Sequence, residues 1–382
     1  MLLFTHTPVG VFIFALTAYR SKILGRMKMK KLLLLGLVIL MILAVGCGPA
    51  GQADDADPQE AEENGAAAEE VYEFTLAHFF PAGHAAETEL IQSWIAALDE
   101  ASGGRVKIIS YPGETLIKAP DIYEGVISGI ADFGLSAFFY TRGRFPVLEA
   151  FELPGVIYEN SYSASKVAWE GIKSLEPDEV QDTKLMYVLA TGPGDLFTTK
   201  PVRTLEDLKG MKIRAAGLSA DTLALLGAVP EAMPQPEAYE ALARGLVEGN
   251  LAPVEVLQGW RHAEVTDYLT RTPFLYNAVF FVTMNKQKWE ALPADLQEII
   301  MAVNERFFEE VAAGLWDAQN EKALEWAVEE TGQEVIELTP EEMARWISLV
   351  EPIQEDFVMR MDQLGFPGEE ILSTVKRLAD QY

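Results

Sequence analysis

From Val71 onward the chain alternates between short strand-like segments and amphipathic helical segments, and this alternation limits the folds open to it. Residues 71–77 alternate and are rich in Val, Tyr and Phe, as strands are, whereas residues 85–100 place their apolar side chains on one helical face. Repeated strand–helix units predict an α/β fold with a mainly parallel sheet. A second such unit begins near Gly192, which predicts two units in one chain.

The predicted strands and helices of these units are all short. The predicted strands cover 71–77, 106–109, 130–135, 184–190, 211–215, 228–233, 268–272 and 278–284. The predicted helices cover 85–100, 121–129, 204–208, 219–226, 236–245 and 253–261. Gly249 and Asn250 are predicted to form a turn, because both residue types favour turns.

After Asn285 the pattern changes to helices only. Residues 294–327 keep one apolar helical period, which predicts a helix near 50 Å long at about 1.5 Å per residue. A helix of that length exceeds one small lobe and could lie across two. Two further helices are predicted at 340–364 and 368–381.

A basic pair and an apolar run precede the only cysteine of the chain. Lys30 and Lys31 are followed by apolar residues 32–45, a run shorter than the about 20 residues of a membrane-spanning helix. The run suits a signal peptide, and the small residues before Cys47 resemble the lipobox of bacterial lipoproteins. Residues 1–46 are thus predicted to be a leader, with a true start at Met27 or Met29 as one interpretation. A plain secretory signal or a short anchor helix is the alternative to lipidation at Cys47.

Residues 47–70 are predicted to form an acidic, flexible tether. The segment is made of Gly, Pro, Ala, Gln, Asn and acids, and it contains no basic residue. Such a composition cannot bury an apolar core. The tether would join a lipid anchor to a domain outside the cytoplasm.

Composition and motif searches exclude several classes of function. The net charge of −28 opposes binding to nucleic-acid phosphates, so no nucleic-acid partner is expected. One cysteine and four histidines argue against a disulfide framework, a thiolate zinc site or a His-rich metal site. Gly-x-Ser-x-Gly, Walker A and His-Glu-x-x-His motifs are absent. We therefore predict no enzyme, no catalytic residues, no cofactor and no dedicated metal site.

Seven short motifs occur in an order and spacing that identify a family. The strongest is LEDLKGMKIR at 205–214. The others lie at 123–132, 144–146, 151–155, 237–242, 247–249 and 284–286. Together they resemble the substrate-binding proteins of TRAP (tripartite ATP-independent periplasmic) transporters, and the resemblance covers roughly residues 71–330.

The resemblance implies a two-lobed periplasmic-binding-protein fold, type II-like, with hinge strands and a long helix spanning both lobes. Lobe 1 would comprise 71–191 and 280–319, lobe 2 would comprise 192–279, and the helices of 320–382 would pack across them. It implies that the protein captures a small organic acid and delivers it to a permease of a large and a small membrane subunit. A ligand-binding input to a sensor or chemoreceptor, using the same cleft, is the alternative.

Arg214 is the first candidate ligand-binding residue. It ends a predicted strand and precedes Gly217, and ligands of open α/β sheets bind at the carboxyl ends of strands. A guanidinium matches a carboxylate with two parallel hydrogen bonds. The residue matches the ligand-binding arginine of the family motif, and a structural ion pair is the alternative.

The other candidates are mostly aromatic or polar residues at predicted strand ends and crossings; packing between helices is the alternative for His78 and Phe79, and core packing is the alternative for Phe197. They are His78 and Phe79 after the first strand, Phe138 and Tyr140 after the third, Asp195 and Phe197 on the crossing between the lobes, and Asn277 on the return crossing. Sialic-acid binders of the family carry a second arginine where this chain has Gly194. The expected ligand is therefore a hydroxy, keto or aromatic acid with an apolar body and not a sugar acid.

Overall fold

The computed structural model describes residues 70–382, so the leader, the tether and Cys47 lie outside the described residues. Two sheets are built from the strands β1 Tyr72–His78, β2 Val106–Tyr111, β3 Phe133–Ala137, β4 Thr183–Ala190, β5 Asp195–Thr198, β6 Lys212–Ala215, β7 Val229–Ala232, β8 Gly249–Ala252, β9 Tyr268–Thr270, β10 Val279–Asn285 and β11 Glu334–Ile336. The α-helices are α1 Gln92–Ala101, α2 Ile122–Ile127, α3 Ser161–Leu175, α4 Leu205–Leu208, α5 Leu218–Leu225, α6 Gln235–Ala243, α7 Val256–Gly259, α8 Lys286–Glu290, α9 Ala294–Phe307, α10 Leu315–Trp326, α11 Pro340–Val350, α12 Pro352–Leu364 and α13 Gly368–Ala379.

The sheet of lobe 1 has five strands in the order β2-β1-β3-β10-β4. Strand β1 pairs in parallel with β2 and β3, and β10 runs antiparallel between β3 and β4. All seven residues of β10 are buried, because strands flank it on both edges. The sheet is therefore mixed and less parallel than the sequence predicts.

The sheet of lobe 2 has six strands in the order β11-β9-β5-β8-β6-β7. Here β5 is the antiparallel strand, between β8 and β9. The predicted turn at Gly249 and Asn250 is wrong: these residues begin β8, a fully buried strand at the centre of the sheet. A side chain on Gly249 would meet the Phe197 carbonyl oxygen at 2.6 Å, so the close approach of β5 explains the glycine.

The chain crosses between the sheets in two adjacent segments, 191–194 and 271–278. The Thr191 N–H donates to the Ala278 carbonyl at 3.0 Å, and the Gly192 N–H donates to Asn277 Oδ1 at 3.1 Å. Asn277 Nδ2 donates in turn to the Phe151 carbonyl at 2.8 Å. The two segments thus form one hydrogen-bonded hinge, and each continues into the antiparallel strand of the sheet it enters.

The predicted long helix is present but interrupted. Helix α9 continues into a π-helical turn, Phe308–Ala312, and α10 begins only after Gly314. The Ala313 carbonyl is taken out of the helical ladder, because the hydroxyls of Ser161 and Ser165 donate to it at 3.3 and 3.0 Å. Beyond this break α10 packs against α3 of lobe 1 and α7 of lobe 2, so the segmented helix still joins the lobes.

The C-terminal part also contacts both lobes. Helix α11 packs against α5, and α13 packs along α3. Strand β11, which the sequence does not predict, pairs in parallel with β9 at the edge of the second sheet. No helix in residues 70–382 is both long and apolar enough to cross a membrane.

Glu152 places a carboxyl group inside the hinge region. Its Oε1 accepts a hydrogen bond from the Val279 N–H at 2.8 Å, where the return crossing enters β10. Burial raises the pKa of Glu152 to about 8, and the hydrogen bond offsets this only in part. The folded protein therefore keeps this carboxyl protonated near neutral pH, whereas the unfolded chain releases the proton above a pKa of about 4.5.

In the natural protein, ionisation of Glu152 in the unfolded state lowers the free energy of unfolding as the pH rises. We predict that Glu152→Gln abolishes this pH-dependent decrease. Between about pH 4.5 and 8 only the unfolded state ionises, so Glu152 lowers the free energy of unfolding progressively, by up to a few kcal/mol. Glutamine keeps an acceptor for Val279 and does not titrate. Urea unfolding of both proteins at pH 5, 6, 7 and 8 should show the variant gaining relative stability with pH. A pH-independent difference would contradict the assignment.

Candidate functional site

A cavity lies between the two lobes. It is formed by Arg214 of β6, by Phe280 of β10, by segments that follow β1, β3, β7 and β8, by the hinge, and by the start of α10. Eight of its fourteen lining residues are aromatic: Phe79, Phe80, Phe139, Tyr140, Trp260, Tyr276, Phe280 and Trp316. The cavity is therefore suited to a flat, apolar molecular body.

Arg214 is the one cationic residue that lines this cavity. It lies in β6, its side chain is 2% exposed, and three groups orient it. Its Nε donates to the Met233 carbonyl at 2.9 Å, and its Nη1 donates to Gln235 Oε1 at 2.9 Å and to Asn250 Oδ1 at 3.3 Å. All three acceptors are uncharged, so they fix the guanidinium without neutralising it.

The second terminal nitrogen of Arg214 is buried and has no hydrogen-bond partner. No carboxylate in residues 70–382 forms an ion pair with the guanidinium, whose hydrogen bonds go to neutral oxygens. Burying a charge without a counter-charge is costly, and so is leaving a buried donor unsatisfied. An anion bound in the cavity would remove both costs.

His262 supports the two amides that orient Arg214. Its ring nitrogens lie 3.2 Å from Asn250 Nδ2 and 3.2 Å from Gln235 Nε2, and the neutral ring can accept a hydrogen bond from one of these two amides while it only packs beside the other. Burial, and then the charge of Arg214, lower the pKa of His262 to about 3. The imidazole is therefore neutral at physiological pH and adds no second positive charge beside the guanidinium.

The lobes touch each other around the cavity. The Gln235 N–H donates to the Tyr140 hydroxyl at 2.9 Å, and Arg142 forms an exposed ion pair with Asp221 at 2.6 Å. Gly217 lies so close to Phe139 that an added Cβ would approach that side chain to 2.6 Å. Burial raises the pKa of Tyr140, so its hydroxyl stays neutral and available as an acceptor. These contacts describe a closed cleft.

Three of the residues predicted from the sequence come together at the cavity, namely Arg214, Phe79 and Tyr140. His78, the last residue of β1, precedes Phe79 on the chain but does not line the cavity. His78 Nε2 lies 2.7 Å from Glu87 Oε2 and 3.2 Å from the Ser110 hydroxyl.

The other predicted residues have partners away from the lining. Phe138 packs on the rings of Phe145 and Phe281, and Phe197 is fully buried in β5. Asp195 accepts from Arg271 and from the Thr272 N–H, both at 2.7 Å, and burial raises its pKa to about 6 despite the arginine. Asn277 braces the hinge, as described above. Ligand roles for these four residues and for His78 stay predictions.

Several lining residues carry no clear signal in the sequence. Gln235 begins α6 just after β7, where a search of strand ends would have found it. Tyr276 lies in the return crossing, Phe280 lies just after it in β10, and Trp316 comes from the start of α10, far from any strand end. Residues 70–382 hold no cluster of three or more His, Cys, Asp or Glu side chains that could bind a metal ion.

Two lobes, a two-segment hinge and a closed cavity with a buried cation define a periplasmic solute-binding protein, a class that transports and does not catalyse. Residues 76–360 match the family described as bacterial extracellular solute-binding protein, family 7, and the chain belongs to that family. The TRAP assignment made from the sequence motifs is thereby confirmed.

Two curated relatives illustrate the match. The C4-dicarboxylate-binding periplasmic protein DctP of Rhodobacter capsulatus is 28% identical over 288 residues, covering 73% of this chain and 82% of the relative. A solute-binding protein of Albidiferax ferrireducens is 26% identical over 283 residues, covering 71% of this chain and 82% of the relative.

Two solved structures share the fold. A TRAP solute-binding protein from Rhodoferax ferrireducens, in complex with copurified benzoate, has a TM-score of 0.77 at 28% identity and covers 81% of this chain and 98% of its own. A marine metagenome TRAP protein specific for aromatic acid ligands, in complex with metahydroxyphenylacetate, has a TM-score of 0.77 at 27% identity, covering 82% and 99%. The two-lobed fold expected from the sequence is confirmed.

We predict that Asn277→Ala destabilises the hinge. The change leaves the buried Gly192 N–H without its acceptor, while the Phe151 carbonyl keeps only the hydrogen bond from the Tyr158 hydroxyl; the loss should cost about 1–3 kcal/mol in the free energy of unfolding. Urea unfolding of the ligand-free protein measures this, with Gln363→Ala as the control because Gln363 is an exposed amide. Unchanged stability together with lost ligand affinity would instead favour a direct ligand role for Asn277.

Proposed function

We propose that this protein captures a small aromatic carboxylate outside the cytoplasm and delivers it to a TRAP-type permease. The observation that carries the proposal is the buried Arg214 guanidinium, which has an unpaired nitrogen and faces a cavity walled by aromatic rings. A carboxylate would complete the hydrogen bonding of the arginine and neutralise its charge. An aromatic ring would fill the rest of the cavity.

The walls support an aromatic body over a purely aliphatic one. Phe79 stacks on Phe80 at a centroid distance of 4.2 Å, and Phe280 stacks on Trp316 at 5.2 Å. Phe79 also contacts Tyr140 edge to face at 5.5 Å. Flat rings that are already packed against one another present faces and edges to a ligand with little loss of side-chain freedom.

The relatives bind acids of two kinds, a C4-dicarboxylate and aromatic monocarboxylates, and the charges of the cavity favour the second kind. A C4-dicarboxylate carries two anionic groups, whereas Arg214 is the single cation of the lining. Benzoate and metahydroxyphenylacetate, bound by the two solved relatives, each carry one carboxylate on an aromatic ring. We therefore infer an aromatic monocarboxylate for this chain.

Delivery and attachment complete the proposal. The ligand would pass to the large and small membrane subunits of a TRAP permease. Lipid attached at Cys47 would hold the protein in the periplasm, or on the outer face of the cytoplasmic membrane, with residues 47–70 as the tether. A diacylglycerol anchor needs no membrane-spanning helix.

We predict that Arg214→Ala weakens binding of benzoate by about 30-fold to several thousand-fold. Removing one partner of a buried, hydrogen-bonded charge pair costs about 2 to 5 kcal/mol, and about 1.4 kcal/mol is a tenfold change in affinity. Arg214→Lys keeps the charge but loses the planar fork, so it should recover only part of the affinity. Calorimetric titration of the three proteins measures the differences.

Thermal melting of the ligand-free proteins is the control for folding. Arg214 has no carboxylate partner in the described chain, so its removal should not lower the melting temperature in the way that breaking an ion pair would. A benzoate affinity within threefold of the natural protein would remove Arg214 from the site. A large fall in the melting temperature with unchanged affinity would assign it a structural role.

We predict that Cys47→Ser abolishes lipid attachment. Growth of the expressing bacterium with a palmitate analogue should label the natural protein, and the variant should stay unlabelled and appear in the soluble periplasmic fraction. The thiol is the only one in the chain, so no second cysteine can take the lipid. Label that persists in the variant would refute the lipoprotein assignment.

A further inference from the structure

A buried carboxylate lines the same cavity as Arg214. Glu255 lies three residues after β8, is 5% exposed, and is the one acidic residue of the cavity lining. Burial has the largest effect on the pKa of the Tyr276 phenol and raises it; Arg214 lowers this pKa, and Tyr140, Glu152 and Glu255 raise it. The cavity therefore contains a fixed positive group and a fixed negative group.

His84 of lobe 1 holds Glu255 of lobe 2 through one oxygen. The His84 side chain is also buried, and its Nε2 lies 2.9 Å from Glu255 Oε2. The Ala86 N–H donates to His84 Nδ1 at 3.0 Å, so this nitrogen must act as an acceptor. The ring proton then sits on Nε2, the imidazole is neutral, and the hydrogen bond leaves the negative charge of the carboxylate in place.

The position of the Glu255 carboxylate is closely defined. The Glu255 N–H donates to Asn320 Oδ1 at 2.9 Å, which ties the backbone to α10. Gly259 leaves room for the pair, since an added Cβ would approach Glu255 Oε2 to 2.5 Å and His84 Nε2 to 2.8 Å. The other oxygen, Oε1, accepts no hydrogen bond from any residue in 70–382. Glu255 lies in the wall between the Arg214 cavity and a second pocket that His84 and Gly259 also line.

We propose that Glu255 determines specificity by selecting acids that carry a hydrogen-bond donor away from their carboxylate, and by rejecting dicarboxylates. The proposal rests on the proposed function, because it takes the ligand carboxylate to lie at Arg214. A phenolic hydroxyl can donate to the free Oε1, whereas a second carboxylate would meet a like charge in a dry cavity. The preferred class is hydroxy-substituted aromatic monocarboxylates.

The test is a calorimetric titration of the natural protein and Glu255→Gln with benzoate, 3-hydroxybenzoate and isophthalate. The natural protein should bind 3-hydroxybenzoate at least tenfold more tightly than benzoate, and isophthalate at least tenfold more weakly. In Glu255→Gln the isophthalate affinity should rise at least tenfold relative to that of benzoate, because the repelling charge is gone. An isophthalate-to-benzoate ratio that stays within twofold would overturn the proposal.

Two further variants separate the charge of Glu255 from its position and from general electrostatics. Glu255→Asp keeps the negative charge on a shorter side chain. This variant should still reject isophthalate, while its preference for 3-hydroxybenzoate over benzoate should fall. Tight binding of isophthalate by Glu255→Asp would contradict the charge argument. Glu89→Gln removes an exposed charge nearby, outside the cavity lining, and should leave all three affinities within twofold.

Failure of this proposal is distinguishable from failure of the proposed function. If aromatic acids bind and Arg214→Ala weakens them, but Glu255→Gln leaves the ratios unchanged, only the role of Glu255 is refuted. If none of the three acids binds the natural protein, or if Arg214→Ala binds benzoate normally, the aromatic carboxylate function fails and the specificity proposal fails with it.

Discussion

The structure is organised around a buried positive charge that forms no ion pair within the described chain. Arg214 is fixed by a backbone carbonyl and two amide oxygens, and a histidine that burial keeps neutral lies beside both amides and can accept a hydrogen bond from one of them. Each of these groups orients the guanidinium without satisfying it. The unsatisfied state is stable because the surrounding strands and helices hold it, and the energy regained on pairing is available to a bound anion.

The two-lobed form follows from two antiparallel strands. Strands β5 and β10 each begin where the chain enters a sheet, and each is flanked on both edges by strands of that sheet. Both crossings therefore start from well-anchored positions. They lie side by side and hydrogen-bond to each other, so bending is confined to a narrow region between the lobes.

The sequence predicted most strands and helices, and it predicted Arg214, because these depend on local pattern and on a motif at a strand end. It failed where distant residues decide the outcome. Asn250 looks like a turn residue, but it lies in a central strand because its amide is needed by Arg214 and His262. The break before α10 depends on hydroxyls of α3, and Trp316, which lines the cavity, lies just beyond that break. None of these contacts produces a periodic pattern of apolar residues in the sequence from which it could be predicted.

Gln235 links the chemistry of the cavity to the shape of the molecule. Its side-chain oxygen accepts from Arg214, while its backbone N–H donates across the cleft to Tyr140. Gln235 therefore both positions the guanidinium of Arg214 and joins the two lobes. A movement of the lobes relative to each other would also move the guanidinium, and the reverse. In the proposed transport role, the permease would not need to contact the bound ligand. It could recognise the closed conformation of the binding protein, and one permease surface could then bind several binding proteins whose cavities hold different acids.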